Sequence, residues 1–562
     1  MKLIECVPNF SEGCDPAKIK QITDAIESVE GVKLLDVDPG KATNRTVVTF
    51  VGTPEAAVEA AFQAIKMAGD IIDMSQHTGA HPRMGATDVC PFIPVSGITM
   101  EETADYAQKL AERVGKELQI PVYLYEEAQS NASRKNLSEI RNGEYEGFFK
   151  KIKLPEWKPD FGPAEFPAKQ GATVIGARNF LIAYNVNLNT KSTRLANSVA
   201  FDIRENGRAK RSGNPYTGPI EKDDSGNEIR IPGLLKECKA IGWYIEEYDI
   251  AQVSINLTNF AVASVHQAFD ACFTSAQNRG LRVTGSELVG LIPLQALLDA
   301  GRHYLTLQKR SVGVSEEELI HIAVKSMGLD DLAPFDPNKK IIEYKLREAL
   351  GGKLIKLNLR EFANETASES TAPGGGSIAA YCGALGVSLG TMVANLSAGK
   401  RGWEEQTLYF SEYAAKGQTI KDQLLYMVDE DTNAFTKIMD AFALPKSNDE
   451  EKAARTEAIQ NATKYAVEIP LQVMKLAHES LDLMKAMTEK GSPSSITDAA
   501  VGALCIRTAV EGAHLNVRIN ASGLKDKVYA EKHLLEAATI ASATEAEVKS
   551  IITNVEKEMT KV

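Results

Sequence analysis

Between positions 374 and 399 the chain reads GGGSIAAYCGALGVSLGTMVANLSAG, without one charged residue, and few folds can hold such a stretch. As a helix it is long enough to cross a bilayer, for which about 20 apolar residues suffice. Its content argues against that use. Glycine, alanine and serine dominate, the stretch stands alone, and its flanks carry no excess of Lys or Arg, the bias that orients membrane spans. A helix buried inside a helical bundle is the better reading, and no membrane association is expected.

The surroundings support a bundle. From 341 to 562 there are few β-branched runs and many Ala, Leu, Glu and Lys residues, with helical periodicity over 418–442, 450–484, 497–517 and 527–559. The first 330 residues read differently. Strands are predicted at 3–7, 33–37, 46–51 and 122–125, helices at 16–29, 54–73 and 99–117, then strands within 173–188 and at 250–257 and a helix over 263–279. Prolines 159, 163 and 167 interrupt this pattern, 205–233 is a polar Gly/Pro-rich excursion, and MGLDDLAPFDPNKK at 327–340 closes it. At 562 residues the chain needs several domains. The expected layout is multidomain: two α/β (α+β) subdomains, 1–176 and 177–328, a linker at 329–340, and an all-α helical bundle over 341–562.

Charge and cysteines narrow the function classes. Asp plus Glu number 75 against 63 Lys plus Arg, a net charge of -12 with the basic residues scattered, which speaks against nucleic acid. Seven cysteines stand far apart with no CxxC pair, so neither a disulfide framework nor a structural zinc cluster is expected. The amino terminus, MKLIECVPNFSEG, has no basic-then-apolar signal layout. A cytoplasmic protein is expected.

The densest chemistry is HTGAHPRMGATD at 77–88. Gly79, Pro82 and Gly85 prevent a continuous helix, so His77, His81, Arg83 and Asp88 belong to a shaped loop. Histidine titrates nearest neutrality and suits proton transfer, and Arg83 offers a fork for a carboxylate. Zinc held by His77, His81 and Asp88 is one competing reading; a hydrogen-bonded structural loop is another. A second polar island, DVDPGKATNR at 36–45, ends one strand and precedes another, where α/β sheets face their ligands.

CVPNFSEG at 6–13, DVDPGKATNRTVVTFVG at 36–52, HTGAHPRMGATDVCPFIPV at 77–95 and ARNFLIAYNVNL at 177–188 resemble the glutamate formimidoyltransferase family. The resemblance implies transfer of a formimidoyl group from N-formimidoyl-L-glutamate, a histidine-degradation product, to N5 of tetrahydrofolate, between two α/β subdomains. It places the catalytic histidine at His81, a proton-handling partner at Asp38, and folate contacts on Gly162, Pro163, Ala164, Glu165, Phe166, Pro167, Ala168, Lys169, Gln170 and Gly171. Arg83 is the candidate for a substrate carboxylate. The 205–233 excursion is longer than in the animal members of that family.

In the helical half, Gly374, Gly375 and Gly376 precede a helix and leave backbone N–H groups open to an anion. Around Met427 the apolar positions Leu424, Val428, Phe435, Ile438 and Phe442 define a stripe that Asp431 interrupts. A carboxylate on a buried face acquires a perturbed pKa, whereas Asp429, two residues away, points to a wetter face. A helix-packing hydrogen bond is the competing role for Asp431.

SESTAPGGGSIAAYCGALG at 368–386, MVANLSAGK at 392–400, DEDTNAFTKIMDAFALPK at 429–446 and AIQNATKYAVEIPL at 458–471 resemble the formimidoyltetrahydrofolate cyclodeaminase family. That family closes 5-formimidoyltetrahydrofolate to 5,10-methenyltetrahydrofolate with loss of ammonia. The resemblance implies that Asp431, with Asp429 in reserve, donates the proton. Methenyltetrahydrofolate cyclohydrolases share this helical family, so a cyclohydrolase-like or catalytically silent helical half is the alternative. The implied ligands are N-formimidoyl-L-glutamate and tetrahydrofolate, the latter as acceptor with the polyglutamylated form as one alternative, and with no metal; a homo-oligomer is expected.

Overall fold

The computed structural model describes residues 2–41, 43–79, 82–129, 131–214, 217–350 and 352–560. They form two compact units: Met1–Ala296 with Met327–Lys345, and Leu297–Ser326 with Leu346–Val562.

Among its described residues the first unit contains two large sheets and a short two-stranded one. In one, the strands lie in the order Leu3–Cys6, Arg45–Gly52, Asn9–Phe10, Thr87–Ser96, Thr173–Ala177, Val122–Glu126, with Val32–Gly40 added beside Arg45–Gly52. Alternation along the strands separates two faces. Ile4, Cys6, Phe10, Phe50 and Phe92 turn to one side, where they bury against Ile22, Ile26, Ala61, Ile65 and Leu110 of helices Pro16–Glu27, Pro54–Ile71 and Met100–Arg113. The other side carries Glu5, Asn9, Asp36, Asp38 and Thr49. The helices begin where the sequence marks them. Asp15 accepts Ala17 N at 2.9 Å just ahead of Pro16, and Thr99 and Glu102 close a capping box.

The chain leaves this sheet after Ala177 and enters the second at Ile182. What reads as one strand region over 173–188 is thus two strands in different sheets. The second sheet is antiparallel, in the order Cys238–Ile245, Ile250–Leu257, Ile182–Leu188, Val283–Val289. Helices Thr193–Ile203 and Val265–Gln277 pack on it through Val199, Ile203, Ala268 and Cys272. The 205–233 excursion contains a short ribbon, Arg208–Ala209 against Arg230–Ile231.

Residues 329–340 are not a free linker. Ser286 N donates to Gly328 O at 2.9 Å, Asn187 Nδ2 to Asp331 Oδ2 at 3.0 Å, and Ile292 N to Lys340 O at 2.9 Å, so the segment is tied into the first unit. Conversely, Leu297–Ser326 joins the helical unit instead of the α/β half. Long-range hydrogen bonds hold it there: Gly313 O accepts Asn395 Nδ2 at 2.7 Å and Gln418 Nε2 at 3.0 Å, and Val312 N donates to Ser411 Oγ at 2.9 Å.

Beyond residue 358 the second unit is helical, with Gly375–Ala398, Thr407–Ala443, Asp449–Glu479, Leu481–Lys490, Ile496–Ser522 and Lys527–Met559 as its main elements. The uncharged stretch forms the first of these, and its buried face runs through Gly376, Ala380, Gly383, Ala384, Val387, Gly390 and Ala394. It crosses Ile496–Ser522 so closely that a Cβ on Gly386 would stand 2.7 Å from Gly502 O, and one on Gly502 2.8 Å from Gly386 O. A Gly386→Ala chain is expected to lose roughly 1–3 kcal/mol through overpacking, read as a lower unfolding midpoint of the helical unit; an unchanged midpoint would mean that this crossing is not tight.

Candidate active sites

Three of the sequence motifs in the first unit meet at Asn44, a left-handed residue with φ of 46°. Its Oδ1 accepts Gly13 N at 3.0 Å, its Nδ2 donates to Thr78 O at 2.8 Å, and its carbonyl lies 2.9 Å from His77 Nε2. Asparagine tolerates this backbone region better than most residues. Arg83 Nε donates to His77 Nδ1 at 3.2 Å, so the His77 proton sits on Nε2 and points at Asn44 O. Both ring nitrogens of His77 are thereby used.

Arg83 is buried, 6% exposed, and its fork is spent inside the protein. Nη1 and Nη2 reach Glu146 at 3.0 and 2.6 Å, Nη1 also reaches Glu144 at 3.2 Å, and Nη2 donates to His77 O at 3.2 Å. The reading of Arg83 as receiver of a substrate carboxylate therefore gives way to a structural one. Asp88 is likewise committed: it accepts Met84 N at 3.0 Å and pairs with Arg141. Burial raises its pKa and Arg141 opposes that rise. With His77 and Asp88 both engaged, the zinc reading loses two of its three ligands. His81 lies outside the described residues.

Segment 162–171 packs beside this loop. Phe166 packs against Tyr145 with the rings tilted by 51° and their centroids 5.2 Å apart, Tyr145 OH donates to Ala168 O at 2.5 Å, Tyr145 N donates to Arg83 O at 2.8 Å, and Lys169 Nζ donates to Asp70 O at 2.7 Å. Arg83 and the candidate folate segment are thus joined through Tyr145. Asp38 stands elsewhere, on the polar face of the first sheet.

That face and the second sheet enclose a cleft of about 1310 Å³. The first sheet contributes Glu5, Asn9, Asp36, Asp38 and Arg45, and the second Lys239, Ile241 and Asn256; Tyr125, Arg141 and Arg178 also line it. Arg45 Nη1 donates to Asn9 Oδ1 at 2.9 Å. Burial raises the pKa of Asp36 against the pull of Lys345. Glu5 is the unusual member. It is 1% exposed, and among the described residues neither carboxyl oxygen has a hydrogen-bond partner; burial pushes its pKa up to about 8, with Arg178 pulling down and Glu343 adding to the rise. Sequence reasoning passed over it, although one signal was present: an acid between Ile4 and Cys6 in a strand sits opposite the core.

In the second unit Asp431 faces the start of helix Gly375–Ala398. Its Oδ2 accepts Ser377 N at 2.9 Å and lies 3.2 Å from Ser377 Oγ, and a Cβ on Gly376 would come within 2.1 Å of Oδ1. The start of this helix thus receives one of the protein's own carboxylates, through Ser377 N. Burial raises the Asp431 pKa, and the two Ser377 contacts hold it back.

The reading of Asp429 is corrected. It is 8% exposed, and it accepts Leu354 N at 2.8 Å and Ile355 N at 3.2 Å; the returning chain covers the side of the helix read as wet. The apolar stripe is corrected too, since Phe435 and Phe442 are 45% and 50% exposed. Buried positions on helix Thr407–Ala443 run from Phe410 through Ala414, Gly417, Ile420 and Leu424 to Val428 and on to Ala434 and Ala441, so Asp431 lies on the stripe between Val428 and Ala434. Glu430, which sequence reasoning left aside, is buried and takes the Tyr465 hydroxyl, with Lys437 Nζ at 3.9 Å.

Known proteins cover almost all of this chain. The family model described as formiminotransferase domain, N-terminal subdomain, matches residues 3–178, that described as formiminotransferase domain matches 183–347, and that described as formiminotransferase-cyclodeaminase matches 358–539. The chain is 44% identical over 529 residues to a formimidoyltransferase-cyclodeaminase of Gallus gallus, covering 94% of each. It is 40% identical over 307 residues to a glutamate formimidoyltransferase of Streptococcus pyogenes, covering 55% of this chain and 94% of that one. It is 39% identical over 178 residues to a methenyltetrahydrofolate cyclohydrolase of Methylorubrum extorquens, covering 32% of this chain and 86% of that one.

The isolation of Glu5 has a measurable cost. Folded, it holds its proton to about pH 8; unfolded, it ionises near its ordinary 4.5. Between these limits the folded chain binds more protons, so stability falls as pH rises through the window. The midpoint of Glu5→Gln is expected to exceed that of the wild type by a margin that widens from pH 5 to pH 8. A margin flat across that range would show Glu5 to be ionised in the folded chain.

Proposed function

This chain belongs to the formimidoyltransferase-cyclodeaminase family, and on that premise we propose that it carries out two consecutive folate reactions. It is a bifunctional enzyme, a glutamate formimidoyltransferase and a formimidoyltetrahydrofolate cyclodeaminase. The first unit transfers the formimidoyl group of N-formimidoyl-L-glutamate to N5 of tetrahydrofolate; the second closes 5-formimidoyltetrahydrofolate to 5,10-methenyltetrahydrofolate and releases ammonia. The observation that carries this reading is similarity over 94% of the chain to a relative of that name and equal span.

The chemistry sets the roles. In the transfer, the folate N5 loses a proton as the departing glutamate nitrogen gains one, and His81 is our choice to carry it; Asp38, on the polar face of the first sheet, is its candidate partner. Contacts of 162–171 with folate belong to the same proposal. In the cyclisation, N10 attacks the formimidoyl carbon and ammonia departs, which requires protonation of the leaving nitrogen. Asp431 suits that step because burial raises its affinity for a proton. Asp429 is set aside as donor, because both its oxygens hold backbone N–H groups.

A place in histidine breakdown, a polyglutamylated folate and a cytoplasmic location belong to the same reading. The location is supported by the cysteines, which are all unbridged. Homo-oligomerisation is supported by exposed apolar side chains on two adjacent helices, Leu385, Met392 and Leu396 on one and Leu504, Leu515 and Ile519 on the other.

A coupled assay from N-formimidoyl-L-glutamate and tetrahydrofolate, following ammonia and methenyl absorbance together, tests both halves. Both products are expected in equal amounts. Accumulation of 5-formimidoyltetrahydrofolate with neither ammonia nor methenyl product would favour the cyclohydrolase-like or catalytically silent alternative. His81→Ala is expected to lower transfer by about 100-fold or more while sparing cyclisation of supplied intermediate. Asp431→Asn should accumulate 5-formimidoyltetrahydrofolate with transfer intact; methenyl product forming at the wild-type rate would remove Asp431 from the mechanism.

A further inference from the structure

Glu5 occupies strand Leu3–Cys6, which is hydrogen-bonded on both sides, with Glu5 opposite Val51 in one neighbour and Ile93 in the other. Its flanking residues Ile4 and Cys6 belong to the helix-covered core, so its side chain is on the cleft face, where it lines the cavity with Tyr125 and Arg178. Both carboxyl oxygens are almost closed to bulk water, and among the described residues neither has a donor. Arg178, whose positive field reaches Glu5, directs Nη1 to Asn179 O at 2.9 Å.

Other buried carboxylates of this unit are satisfied from within, as Asp88 is by Met84 N and Arg141. Buried polar atoms without partners are uncommon and call for an explanation. In a cavity that receives substrate, the economical one is that the partner arrives with the substrate.

We propose that Glu5 is a substrate-binding residue of the transfer site, receiving a planar N–C–N edge that presents two N–H donors side by side. On binding, Glu5 gives up its proton, to solvent or to a neutral amidine, and the two oxygens of the resulting carboxylate match two such donors, a paired, charge-assisted geometry. The inference rests on the proposed function, because that reaction brings two edges of this kind into the cleft. One is the formimidoyl amidine of the donor. The other is the 2-amino and N3–H edge of the pterin ring.

The test compares the full chain with Glu5→Gln, a variant of equal size that replaces one acceptor by a donor. Calorimetric titration with N-formimidoyl-L-glutamate and, separately, with tetrahydrofolate needs no turnover. The affinity for one ligand is expected to fall about 10- to 100-fold and that for the other to stay within about 2-fold. Loss confined to formimidoylglutamate identifies the amidine edge, and loss confined to tetrahydrofolate the pterin edge. Unchanged affinity for both overturns the proposal. Cyclisation of supplied 5-formimidoyltetrahydrofolate by the other unit checks that the variant chain is intact. Should the wild type bind one of the two ligands in a Glu5-dependent way yet transfer nothing, the proposed function fails while the role of Glu5 stands.

Discussion

A carboxylate withdrawn from water must be met by donors, and this requirement ties together the segments on which both sites depend. Asp88 joins the 82–88 loop to helix Leu137–Arg141 through Met84 N and Arg141. Glu12 accepts Cys14 N and Asp15 N, both at 2.9 Å, and holds the turn ahead of the first helix. Asp429 fastens 354–355 to the long helix, and Asp431 fastens the start of the small-residue helix to the same element one turn fraction later. Each of these acids looks reactive in isolation. Counting their donors separates the ones that are structural from those with capacity left for chemistry.

That count explains where the sequence was legible and where it was not. Periodicity located the strands Leu3–Cys6, Arg45–Gly52 and Ile250–Leu257 and the helix Lys527–Met559 closely, because in each the alternation of buried and exposed positions is regular. Strand Thr87–Ser96 was hidden by Pro91 and Pro94, which lack the N–H that a ladder uses. Two sheets replaced one strand region at 178–181, since nothing in a β-branched run says which sheet it joins. The helices of Leu297–Ser326 carry the same amphipathic pattern whichever unit they join; their assignment turns on Gly313 O, Asn395 and Gln418, contacts made across a long sequence separation.

The sites followed the same rule. Chemistry-bearing residue types were visible as soon as motifs were read, but their partners were not. Arg83 invited a carboxylate, and Glu146, 63 residues away, supplied it. Asp429 appeared to face water until residues 352–355 were placed over it. Glu5 drew no attention because an acid in an edge-like, amino-terminal strand is ordinary; it becomes unusual only once that strand is found paired on both sides and its oxygens are found alone.

Glu5 and Asp431 show two different uses of burial. Asp431 keeps one oxygen on Ser377 N while Oδ1 rests against Gly376, so desolvation and hydrogen bonding act in opposite directions on its proton. An acid balanced in this way can give up a proton and take it back, which protonating a departing ammonia demands at every turnover. Glu5 has no such balance: burial dominates, and Arg178 offsets only part of it. A group held so far from its solution state gains most from a cationic or donor-rich ligand, because the ligand supplies the stabilisation that the protein withholds. The first arrangement is suited to moving a proton, the second to recognising what enters the cleft.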